Sequence, residues 1–145
     1  MTVKPATNIV CLSEKPEISV DTNCNPDSND TDNTIVGKFV LIVGVNEIAL
    51  AYGSIEDYSY HADLVKRYCD INNIPSGWTK KPDQYEILSA SHRILGGGWF
   101  EENVADKTLR FYGYSTAYGG FEQQDILYLL QTSDLFSDYL VNFKD

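Results

Sequence analysis

Residues 38–45 read KFVLIVGV, an almost unbroken run of β-branched, aliphatic and aromatic side chains after one lysine. A strand with one wet face alternates apolar and polar residues; a run without that alternation fits a strand buried in the middle of a sheet. Such a strand needs covering elements, so the segments C-terminal to it decide the fold class. EIALAYGS at residues 47–54 comes after a turn expected at Asn46 and Glu47, and Ala49 and Leu50 leave it open to strand or helix. From Tyr60 the period changes. His61, Leu64, Val65 and Tyr68 fall at i, i+3, i+4 and i+7 on one helix face, and Lys66, Arg67 and Asp70 take the other. Asp57 or Ser59 is placed to cap this helix, and NNIPSG at residues 72–77 to stop it.

KKPDQ at residues 80–84 is turn-like, YEILSASHRIL at 85–95 reads as a strand, and GGG at 96–98 interrupts it. Residues 99–115 read as a hairpin turning near ADK. EQQDILYLLQTSD at 122–134 predicts a second helix with Ile126, Leu127 and Leu130 inward, and YLVNF at 139–143 a closing strand or short tail. Hairpins mixed with few helices predict one α+β (α/β) domain, with a mixed, mostly antiparallel sheet of about six strands and two α-helices. The 145 residues suffice for one domain with a core.

The compact domain is expected over residues 35–145. Residues 21–34, DTNCNPDSNDTDNT, hold almost no apolar side chain and cannot offset their own ordering entropy. They predict an acidic, flexible loop within an N-terminal arm over residues 1–34, where PEISVD at 16–21 alternates like a short strand.

The net charge of −10 argues against nucleic acid as the main partner, because phosphate backbones need a concentrated basic face. No apolar run is long enough to cross a bilayer, so no membrane partner is expected. The start of the chain lacks the pattern of a secretory signal. Cys11, Cys24 and Cys69 cannot all pair within one chain, and they are read as reduced thiols of a cytoplasmic protein. Neither histidine, His61 or His92, sits in a cluster with metal-ligand spacing, and no GxxxxGK[ST] loop is present. No metal and no bound cofactor are expected.

Three segments then stand out in order: YHAD at residues 60–63, LGGG at 95–98 and YGYSTAYG at 112–119. Together with the strand KFVLI at 38–42 and the preceding PEISVD, they resemble the Janus family of phosphohistidine phosphatase-like proteins. The resemblance covers the chain from about residue 16 onward. It implies metal-independent hydrolysis of the P–N bond of phosphohistidine, with phospholysine as a further substrate class. The histidine of YHAD, here His61, is implied to be catalytic. Phosphate is implied to be held by backbone amides around it at Tyr60 and Ala62, by Ser115, Thr116 and Ala117, and by Lys38. Substrates would be phosphohistidine-containing proteins, the product inorganic phosphate, and the protein a monomer. One departure is plain: the family's arginine after LGGG is Trp99 here. That leaves a second expectation, a catalytically weak module of the same fold that binds phosphate or phosphopeptide.

The residues themselves leave alternatives. His61 in a first helical turn sits beside free amides and the positive dipole end, which favours a neutral ring able to act as general base or nucleophile. It could equally be a helix-face histidine packing with Leu64. In YGYSTAYG, Gly113 and Gly119 allow successive N–H groups to form a nest for anionic oxygens, or simply kink a tyrosine-rich hairpin. Lys38 is either a phosphate cation or a strand-edge marker. Trp99 is either a pocket wall or core, and Arg93 is a candidate for the charge that Trp99 lacks.

Overall fold

The computed structural model describes residues 6–13, 34–80, 84–134 and 136–144. The strand expected over residues 16–21, Cys24, nearly all of the polar loop and the middle of KKPDQ lie outside them. The described chain runs β1 (Ala6–Cys11), β2 (Thr34–Gly44), β3 (Glu47–Ser54), α1 (His61–Asn72), β4 (Ser76–Trp78), β5 (Tyr85–Ile87), β6 (Arg93–Asn103), β7 (Thr108–Tyr112), α2 (Gln123–Gln131) and β8 (Leu140–Lys144). Six strands form one mixed sheet in the order β1-β3-β2-β6-β7-β8, and β4 and β5 pair in a small separate ribbon. The inner pairings are antiparallel, while β1 on β3 and β8 on β7 are parallel. This is the α+β architecture expected from the alternation of hairpins and helices.

The unbroken run in β2 has a direct explanation. Its Val40 and Ile42 pack with Ala49 and Ala51 of β3 against Leu64, Val65, Tyr68 and Cys69 of α1. Phe39 and Leu41 point the other way and pack with Leu50, Phe100 and Phe111 against Ile126 and Leu129 of α2. Both faces of the strand are therefore covered, and alternate residues serve two cores. Burying each such side chain contributes roughly 1.5–3 kcal/mol.

Local signals account for the turns. Asn46 (φ 60°) turns β2 into β3, and Asn73 (φ 57°) ends α1 in the left-handed region that asparagine tolerates well. EIALAYGS is a strand: cross-strand pairing with β2 from Gly37–Ser54 to Gly44–Glu47 settles what its composition left open.

Four local expectations change. Neither Asp57 nor Ser59 caps α1; Tyr60 occupies the N-cap position without a side-chain bond. In α2 Ile126 is buried and Leu130 packs half-buried on the same core, as expected, but the third inward residue is Leu129, while Leu127 is 42% exposed, because it falls one helical step outside the 126, 129, 130 stripe. YEILSASHRIL does not form one strand. It divides into β5 and the start of β6, with a turn at residues 89–91 whose Ser89 hydroxyl accepts from the Ser91 N–H. The triple glycine does not interrupt but lies inside β6, where the pairing with β2 shifts register: Leu41 pairs with Gly96 and Ile42 with Ile94, leaving Leu95 as a bulge.

Candidate functional site

The pocket begins with three neighbouring strands. Lys38 of β2 lies directly across from Trp99 of β6, and Trp99 across from Tyr112 of β7. Beyond Tyr112 the chain leaves the sheet at Gly113 (φ 71°) and returns over the triple glycine through Gly119 (φ 89°). Ser115 and Gly119 close this loop with a reciprocal pair of backbone bonds, 3.0 and 2.8 Å. The Ser115 hydroxyl accepts from the Tyr118 N–H at 3.1 Å. Gly97 N–H donates to Gly119 O at 3.1 Å, which ties the loop to β6. A Cβ at Gly96 would lie 1.8 Å from Gly120 O, so only glycine permits this approach. Tyr118 anchors the far side, its ring hydroxyl accepting from Tyr85 N–H and donating to Tyr85 O.

α1 starts against the same place. His61, only 7% exposed, lies with Cδ2 3.1 Å from where a Gly97 Cβ would stand, so the missing side chain makes room for the ring. Its Nε2 is 2.8 Å from Gly98 O. A carbonyl can only accept, so Nε2 carries the proton and Nδ1 holds the lone pair of the neutral ring. Burial holds the His61 pKa below the usual histidine value; the Gly98 bond opposes this and nearby Lys38 reinforces it. The result is a fixed tautomer whose free nitrogen is a base and nucleophile at neutral pH.

Lys38 is held as firmly. Its ammonium donates to Ser59 O, lies 4.7 Å from the Trp99 ring centroid and 5.7 Å from that of Tyr60. Burial lowers its pKa, and Asp63 pulls the other way. Trp99 is both a wall and a clamp, stacked on Tyr112 at 6.4 Å and 25°.

Lys38, Tyr60, His61, Trp99, Tyr114, Ser115, Thr116 and Ala117 line one pocket of about 230 Å3. Every residue that the resemblance assigned to the site is there except Ala62, whose methyl is buried in the core under α1. Tyr60 leaves the first-turn amides of α1 without a side-chain cap on the pocket side. Among the described residues Lys38 is the one cation that lines the pocket. Arg93 pairs with Val43, five positions along β2 from Lys38, roughly 17 Å away at strand rise. It therefore does not replace the absent arginine. His92 lies outside the pocket, between Ser91 (Nδ1, 2.7 Å) and Glu47 (Nε2, 3.0 Å). A larger hollow of about 640 Å3 lined from β1, β2, β3 and β6 carries Glu56, Asp57 and Glu102 and, among the described residues, no cation.

Two partners in the site are backbone carbonyls, Ser59 O and Gly98 O. Residue type does not mark them, and only the glycine run hints at the second. Tyr114 also lines the pocket, and its place in YGYSTAYG was the available signal.

Among the described residues no group of three or more His, Cys, Asp or Glu side chains is placed to hold a metal ion, and no helix is long and apolar enough to cross a membrane. Cys11 and Cys69 are free thiols. A family model described as Janus/Ocnus family (Ocnus) matches residues 46–139. No curated protein matches the chain.

Proposed function

This chain belongs to the Janus/Ocnus family, and from that premise we propose that it hydrolyses the P–N bond of phosphohistidine in proteins or peptides without a metal ion. The observation that carries the reading is the His61 tautomer. A buried ring near the Lys38 ammonium, with Nε2–H committed to Gly98 O, keeps its lone pair on Nδ1 and lines a pocket of about 230 Å3.

The phosphoryl oxygens would be met by the Lys38 ammonium, the first-turn amides of α1, the Ser115 hydroxyl and the amides of Thr116 and Ala117. The loop donors are preorganised by the backbone pairs that close residues 115–119, so they favour charge spread over the transferring oxygens without reorganising. Nδ1 either takes a proton from the attacking water or attacks phosphorus itself. In the first route the water oxygen joins phosphorus, the P–N bond breaks, and the leaving imidazole nitrogen takes up a proton. Phosphohistidine-bearing proteins are the proposed substrates and inorganic phosphate the product.

Trp99 favours a second reading, in which the same pocket binds phosphate or phosphopeptide and turns over little. One cation lines the pocket, and position 99 supplies an indole instead of a guanidinium. The deciding experiment is hydrolysis of a phosphohistidine peptide with and without EDTA, beside a phosphoserine peptide. Chelator-insensitive release of phosphate from phosphohistidine alone is expected. Binding without release selects the second reading, and activity that depends on added divalent ion overturns the first.

A further inference from the structure

The pocket is polar at its floor and aromatic at its mouth. His61 and Ser115, 7% and 1% exposed, form the floor, whereas Tyr60 and Tyr114 at the mouth are 59% and 65% exposed. Large apolar side chains left exposed singly need no explanation; two around the entrance of one anion pocket form a patch. The third aromatic, Trp99, is engaged with Lys38 and Tyr112, and Tyr60 lies 5.7 Å from the Lys38 ammonium, which leaves Tyr114 as the least committed ring. Tyr114 stands between Gly113 and the Ser115–Gly119 bridge, so its backbone is held at the rim.

We infer that Tyr114, with Tyr60, forms a ring subsite that selects a phosphoryl group carried on a planar five-membered ring over one carried on an alkyl chain. The inference rests on the phosphohistidine reading and deepens it. With phosphorus at the buried His61, the group that bears it points toward the exposed end of the pocket, which Tyr60 and Tyr114 line. When the P–N bond breaks, that ring nitrogen takes a proton, and the neutral imidazole that leaves keeps a planar face that packs on aromatic rings. A ring also gains stacking area that an alkyl chain does not. The pocket would thus add affinity for the group that carries the phosphate to that of Lys38, the one cation lining it among the described residues.

The test is equilibrium binding to wild type, Tyr114→Ala and Tyr114→Phe of two ligands that cannot be hydrolysed. One is a capped phosphonotriazolyl-alanine, whose C–P bond replaces the P–N bond on a five-membered ring; the other is methylphosphonate, which has no ring. Tyr114→Ala should weaken the ring ligand about 2- to 10-fold, the scale of one aromatic pair, and leave methylphosphonate unchanged. Tyr114→Phe should keep wild-type affinity for both. Equal weakening of both ligands, or of neither, overturns the ring subsite, as does a wild type that binds neither. A wild type that shows the ring dependence but no phosphohistidine hydrolysis retains the subsite and refutes the catalytic reading. Tyr114→Leu gives a second truncation should the alanine variant fold poorly.

Discussion

His61→Gln and His61→Ala together separate the chemistry of the ring from its packing. Glutamine can place an amide N–H where Nε2–H stands, keeping the 2.8 Å bond to Gly98 O while removing Nδ1. Alanine removes both. The hydrogen bond contributes about 0.5–1.5 kcal/mol. The lost packing over Gly97 adds a similar amount, so alanine should cost about 2 kcal/mol in all, or about 6 °C in Tm for a chain of this size. Glutamine should cost less than half of that. Turnover of a phosphohistidine peptide should fall about 10²- to 10⁴-fold in both, the contribution of one positioned acid–base group. Phosphate affinity of the glutamine variant should stay within about twofold, since Lys38 and the loop amides remain. The assays are initial rates, a melting curve and a phosphate titration on each protein. Wild-type turnover in His61→Gln would refute the role of Nδ1. An alanine variant that melts with the wild type would refute the buried bond to Gly98.

The same geometry gives two further outcomes. Trp99→Arg adds a guanidinium beside the pocket and removes the indole that clamps Lys38. Phosphate affinity should rise about tenfold, the scale of one charge-assisted bond, with about 1 kcal/mol of stability lost with the cation–π contact; unchanged affinity in a titration would mean that position 99 does not face the anion. Because burial depresses the His61 pKa, the unfolded chain binds that proton at a higher pH than the folded one. Stability from this residue is then present above about pH 6.5 and is lost as pH falls below it. Denaturant midpoints measured across that range should show the slope in the wild type and a smaller one in His61→Gln, and equal slopes would count against a buried neutral ring.

Much of this was legible along the chain. The unbroken run in β2 required cover on both faces, because alternate side chains of a strand point to opposite sides and none of these is polar. The i, i+3, i+4 spacing from His61 marked the buried face of α1, and the glycines of YGYSTAYG marked a backbone that something approaches. These are local properties, carried by side-chain type and period. What they could not carry is the identity of partners brought in from elsewhere. β1 gains its place by pairing in parallel with β3, about forty residues on, through backbone groups that every residue possesses. The triple glycine reads locally as a breaker, yet it is a strand, because β2 supplies its ladder while His61 and residue 120 occupy the space its side chains would fill. The His61 tautomer depends on a carbonyl 37 residues away, and the place of Lys38 on Trp99 and Ser59. Arg93 and Trp99 sit six residues apart on one strand; register alone puts one in the pocket and the other near the far end of β2. Sequence determined which side chains were available to the candidate site; tertiary structure decided which of them meet, because pairing and burial act between segments whose separation along the chain leaves no local trace.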